Sequence, residues 1–267
     1  MKKFNKQKAL ERLNHIDAHF NSGWLKTNDV QFWDKKLSNI ENYKWGFVRL
    51  QGYCVLQIMR NWFHCHDIEA VRKYAFNHVK LDYVANQPPY NYIEGIYITN
   101  GLWCLLSNHQ KLIEWYLNLD RYFGETANSP KSVDFCKRNF FLALRGDWDL
   151  LKQRCEMIFN TEIKNSVMKT FLPDYEFYFA LADGDTEKMQ IALYALLDAR
   201  KFNGRRNWES GYTLDLIYTF VVLYTKLAWY HGYQIYIDSE YIPMEWMDMT
   251  PLASYHNEFN FMKNYNI

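Results

Sequence analysis

Two short stretches place residues that can do chemistry close together. In "RNWFHCH", Arg60 to His66, an arginine precedes a histidine by six positions. All-helical ribonucleases use that spacing: the guanidinium stabilises phosphate charge while the imidazole moves protons. "HCHD", His64 to Asp67, gathers metal-ligand types, and His15 and His19 stand four apart on a helical pattern. Neither set includes the further ligand a closed metal site needs. The pattern places His66 and Asp67 at a helix boundary, where histidine suits the negative end of one helix and aspartate caps the next. The chain carries no Gly-rich phosphate loop, no GxSxG elbow and no HExxH zinc motif. The expectation is no catalytic residue, no metal and no cofactor.

Acids at helix corners explain most of the remaining carboxylates. In "FALADGDTEKMQIALYALL", Phe179 to Leu197, an apolar run stops at Gly184-Asp185. It resumes with Met189, Ala192, Leu193, Leu196 and Leu197, the stripe of an amphipathic helix. Gly184 suits the left-handed residue closing one helix, and Asp185 the N-cap of the next. The same grammar recurs at Gly146-Asp147, at Asn108-His109 and, more weakly, at His66-Asp67. The later corners lie about 38 residues apart, close to the period of helical-pair repeats. These corners read as structural.

The elements that must carry these residues are helices. Only 11 Gly and 6 Pro occur among 267 residues, few for a chain of tight hairpins, and aromatics make up 18%. The spacing predicts helices over 5–21, over 29–64 as one or two pieces, and over 212–230, the last apolar on nearly every side. Loops are expected at 83–95, 120–130 and 201–211, and a short extended piece after 232. The fold class is all-α: stacked antiparallel helical hairpins, TPR-like or solenoid-like, in a single domain over 1–267.

Composition narrows the function. A net charge of +1 offers no overall pull toward nucleic acid or an anionic membrane. Five cysteines without a CxxC pair suit a reducing compartment. The basic N-terminus lacks the apolar stretch of a signal peptide, and the apolar window Leu216 to Tyr224 is too short to span a bilayer. A cytoplasmic protein is expected.

The C-terminal third carries a resemblance. The Ala180-Leu181 and Gly184-Asp185 corner, the Leu196-Leu197 helix ending at Arg200, and the run through Gly232, Ile235, Ile237, Asp238, Ser239, Tyr241 and Pro243 resemble the Imm49 family of bacterial immunity proteins. The likeness extends over about 130–248. It implies a non-enzymatic protein that binds a cognate toxin of a polymorphic or contact-dependent secretion system and blocks it. The matching positions are structural, so the resemblance supplies no contact residues. Two loops concentrate interface types instead: "PPYNYIEG" with Tyr90, Tyr92 and Glu94, and "NGRRNWES" with Arg205, Arg206, Trp208 and Glu209. The rival readings are a TPR-like peptide-binding adaptor and a HEPN-type ribonuclease using Arg60 and His66.

Overall fold

The computed structural model describes residues 2–22, 27–92, 97–164 and 166–267, and every regular element among them is helical. Helices α1 (Lys6–Ser22) and α2 (Thr27–Ser38) lead into α3 (Tyr43–Cys65) and α4 (Ile68–Ala85). Next come α5 (Asn100–Ser107), α6 (Gln110–Tyr116), α7 (Val133–Arg145) and α8 (Trp148–Phe159). After the single turn α9 (Ser166–Lys169) follow α10 (Leu172–Asp183), α11 (Thr186–Leu196), α12 (Ala199–Gly204) and α13 (Thr219–Tyr230). Neighbours in sequence pack as hairpins, α3 with α4, α7 with α8 and α10 with α11, and α10 also rests on α8. Buried residues from Ala9 to Met262 make one continuous apolar cluster.

The corners follow one grammar. His66, Asn108, Gly146 and Gly184 all take the left-handed conformation, with φ of 50°, 49°, 78° and 69°. Backbone bonds from the following residue close three of them: Asp67 N–H to Asn61, Asp147 N–H to Leu142 and Asp185 N–H to Ala180. Gly184 is doubly constrained, because a Cβ there would also meet the Tyr233 hydroxyl at 2.9 Å. Asp67 accepts from the Ala70 amide at 2.9 Å, His109 from Leu112 at 3.2 Å and Asp185 from Lys188 at 3.0 Å. The expected cap at Asp147 is corrected: its carboxylate takes the Arg145 guanidinium at 2.8 Å and makes no cap bond. A cation two residues upstream outcompetes an amide for that carboxylate.

The 29–64 stretch takes the two-piece form, breaking between α2 and α3, where Ile40 and Asn42 adopt positive φ. Two other boundaries differ from the sequence pattern. The predicted loop 201–211 contains most of α12 and a 3-10 turn, Arg206–Trp208. The predicted helix 212–230 begins only at Thr219. Asp215 sits at φ 66°, held by both arms of Arg206, which turns the chain out of the helical path. The Glu209 carboxylate then takes the Thr219 amide at 3.0 Å and the Thr219 hydroxyl, fixing where α13 starts. After α13 no strand forms among the described residues; a bond from the Tyr218 amide to the Tyr241 carbonyl ties that segment down.

Helix α13 packs against α5 on one side and α11 on the other. Its Lys226 ammonium is fully buried and donates to the carbonyls of Trp246, Met247 and Asp248 at 3.0, 3.3 and 2.7 Å. The chain then returns across the first helices: Asp248 meets Arg72 and Asp34 accepts the amides of Asn260 and Phe261. The C-terminal segment thereby ties the last hairpins to the first.

Candidate functional site

The "NGRRNWES" stretch is built from the inside outward. Asp174 lies in the first turn of α10, on a face otherwise formed by Tyr175, Phe177 and Tyr178, and has no solvent exposure. An ion buried there is tolerable only when paired and hydrogen-bonded. Arg205, equally buried, supplies both: its two terminal nitrogens meet the two carboxylate oxygens at 2.7 and 2.9 Å. The Tyr224 hydroxyl of α13 donates a third bond at 2.5 Å. The guanidinium lies between the rings of Phe220 and Phe171, at 3.8 and 4.3 Å from their centroids. Burial pushes the Asp174 carboxyl up, opposed by Arg205 and Tyr224. Burial also works against the Arg205 charge, and Asp174 more than reverses it, so the arginine holds its proton more firmly than usual. The triad clamps α10, the end of α12 and α13 together.

That clamp shapes a cleft of about 600 Å³ between α9, the start of α10 and α12. Its lining includes the apolar Leu172 and Pro173, Gly204, and the charged Lys169, Arg200, Lys201 and Glu176. Among the described residues the side chains of Lys169, Arg200 and Lys201 have no ion-pair or hydrogen-bond partner, and neither has Glu176. No side chain caps the N-terminus of α10, whose first turn carries the Asp174 carboxylate.

The other interface candidates fall in different places. Tyr90 is buried at 5% exposure, its hydroxyl bonded to the Leu37 carbonyl, and Arg205 is at 0%. Both are corrected from free loop anchors to parts of the core. Glu209 turns its carboxylate onto α13, where burial pushes it up to about 7, against the bonds from Thr219 and Thr213. It too serves the fold. Arg206 is half-buried on Asp215, Trp208 rests edge-on against Phe171, and Tyr92 packs beside Tyr43 and under Lys44. These three keep partial exposure. Glu94 lies outside the described residues.

Arg60 and His66, the candidate ribonuclease pair, each rest against other side chains. The Arg60 guanidinium bonds Asp17 at 2.8 Å and stacks on Phe20, while the His66 ring sits against Trp62. His64, rather than His66, shares Asp17 with Arg60, at 3.0 Å. His15 and His19 contact edge to face, and no group of three His, Cys, Asp or Glu residues fit to hold a metal occurs among the described residues. No helix among them is long and apolar enough to cross a membrane.

The sequence pattern missed Asp174 and the cleft. A lone carboxylate in the otherwise apolar "LPDYEFYFALAD" was the available signal for the first. The cleft had none, because Lys169 and Arg200 stand far apart in the chain.

The fold is therefore an all-α stack of helical hairpins, held at one end by a buried ion pair beside a basic cleft. Residues 135–246 match the family model Imm49, immunity protein 49. The matched segment runs from the start of α7 to just beyond α13, and so includes the Asp174–Arg205 pair and the whole cleft lining. Searches of curated proteins and of solved structures returned no match.

Proposed function

We propose that this protein protects its producer by binding a cognate toxin and blocking it stoichiometrically, in the cytoplasm and without chemistry of its own. The match of residues 135–246 to the immunity-protein family carries this reading. Two arrangements support it. Arg60 is engaged with Asp17 and Phe20, away from any partnership with His66. The space between α5 and α11, where a groove-binding adaptor needs an opening, holds the chain's own α13. Specificity then resides in partly exposed side chains such as Tyr92, Arg206 and Trp208, set on a rigid frame. The test is co-expression with the protein encoded by the neighbouring open reading frame, scored by survival. Survival only in the presence of this chain is the expected result; equal killing with and without it contradicts the reading.

A further inference from the structure

We infer that the cleft between α9, α10 and α12 receives an acidic segment of the toxin, one whose Asp or Glu carboxylates lie between Lys169, Arg200 and Lys201. This rests on the immunity reading and adds where, and by what chemistry, the partner is held.

The argument is charge complementarity on a concave surface. The chain as a whole is near neutral, at +1. At this cleft three cations face one lining acid, Glu176, and none of the four makes a side-chain hydrogen bond or ion pair among the described residues. Elsewhere surface cations are commonly spent within the fold: Lys152 on Asp183, Lys188 on Asp185, Arg145 on Asp120 and Asp147. Asp198, at the N-terminus of α12, accepts the Arg200 amide and also attracts the Lys201 and Arg200 charges, so part of the local positive charge is balanced within the fold. The apolar Leu172 and Pro173 in the lining give the occupant a surface to desolvate, as interface cores do. The buried Asp174–Arg205 clamp fixes α12 against α10, so Arg200 and Lys201 are held at the cleft before the partner arrives.

The experiment uses a short synthetic peptide rich in Asp and Glu, its Asn/Gln counterpart and inorganic phosphate as probes, with binding followed by amide chemical shifts on the full chain. The acidic peptide is expected to shift residues 169, 200, 201 and 204, and the amide peptide to bind at least ~10-fold more weakly. The preference should shrink as salt is raised. Lys169→Glu/Arg200→Glu/Lys201→Glu is expected to abolish acidic-peptide binding, and the milder Arg200→Gln/Lys201→Gln to weaken it at unchanged melting temperature. Equal binding of the two peptides, no binding of either, or phosphate binding as tightly as the acidic peptide overturns the proposal. In co-expression the charge-reversed chain should lose protection. If it protects like wild type, the docking site is wrong while the immunity reading stands. If wild type protects against no neighbouring toxin yet the peptide preference holds, the cleft's preference for acidic segments stands, and the immunity reading falls together with the toxin as its occupant.

Discussion

Asp174 and Arg205, 31 positions apart in the chain, meet fork to fork inside the protein, both without solvent exposure. This contact decides the geometry of the region that differs most from its sequence pattern. It draws the end of α12 inward, leaves Arg206 to take Asp215, and so delays α13 to Thr219.

Breaking the pair from one side should therefore cost more than removing it. Asp174→Asn strands a buried guanidinium and is expected to lower stability by about 3–5 kcal/mol. Asp174→Leu/Arg205→Met should lose much less than the sum of the single changes. Denaturant unfolding of the four proteins measures this coupling, and additive losses contradict it.

The helix corners are expected to differ among themselves. Asp185 caps α11, whereas Asp147 is engaged with Arg145 and caps nothing. Asp185→Ala should lower the melting temperature more than Asp147→Ala does, unless the latter releases Arg145 from Asp120 as well. Both variants should protect normally at temperatures where they stay folded. Loss of protection without loss of melting temperature marks an acid that touches the toxin.

These corners also show how far the sequence could be read. A left-handed residue followed by a cap is local chemistry, so Gly184-Asp185 and His66-Asp67 were legible from composition and spacing alone, as was the all-α class. The Asp147 side chain was misread because its competitor, Arg145, is also bound to Asp120, a residue 25 positions away. Arg205 and Tyr90 passed for loop anchors for the same reason. Pro88-Pro89 marks a loop correctly, but whether a loop side chain faces solvent depends on partners such as Asp174 and Leu37, distant in sequence. The basic cleft is a purely tertiary object.

Lys226 gives the fold a pH signature. Burial, with the nearby Arg72 charge, lowers its pKa from 10.5 to about 7, while Asp248 pulls the other way. The unfolded chain therefore binds the proton more tightly between these values, so stability should rise with pH from about 7 toward 10. The Lys226→Met protein lacks that contribution. The difference in unfolding free energy between wild type and Lys226→Met should move in favour of wild type across this window, and a flat difference contradicts the burial argument.

Among partly exposed aromatics and arginines, Trp208 packs on Phe171, which precedes α10, Arg206 follows α12 and pairs with Asp215, and Tyr92 lies beside Tyr43. If the toxin is held at the cleft, Trp208→Ala should weaken binding by about 2 kcal/mol or more, the scale of an interface anchor, with Tyr92→Ala near neutral. Calorimetric titration with the toxin, paired with melting curves, separates binding from folding. The reverse ranking moves the contact surface to the N-terminal helices.

The central claim is inhibition by one-to-one occupation rather than by turnover, and titration of toxin activity tests it most directly. Purified toxin at a concentration well above the dissociation constant is mixed with increasing amounts of this protein, and residual activity is read after equilibration. The account predicts a linear fall that ends at a fixed molar ratio and does not deepen with time. Activity that vanishes progressively at a small fraction of that ratio means the protein acts as a catalyst on the toxin. Activity that never falls means the two do not form an inhibitory complex, and either result contradicts the account.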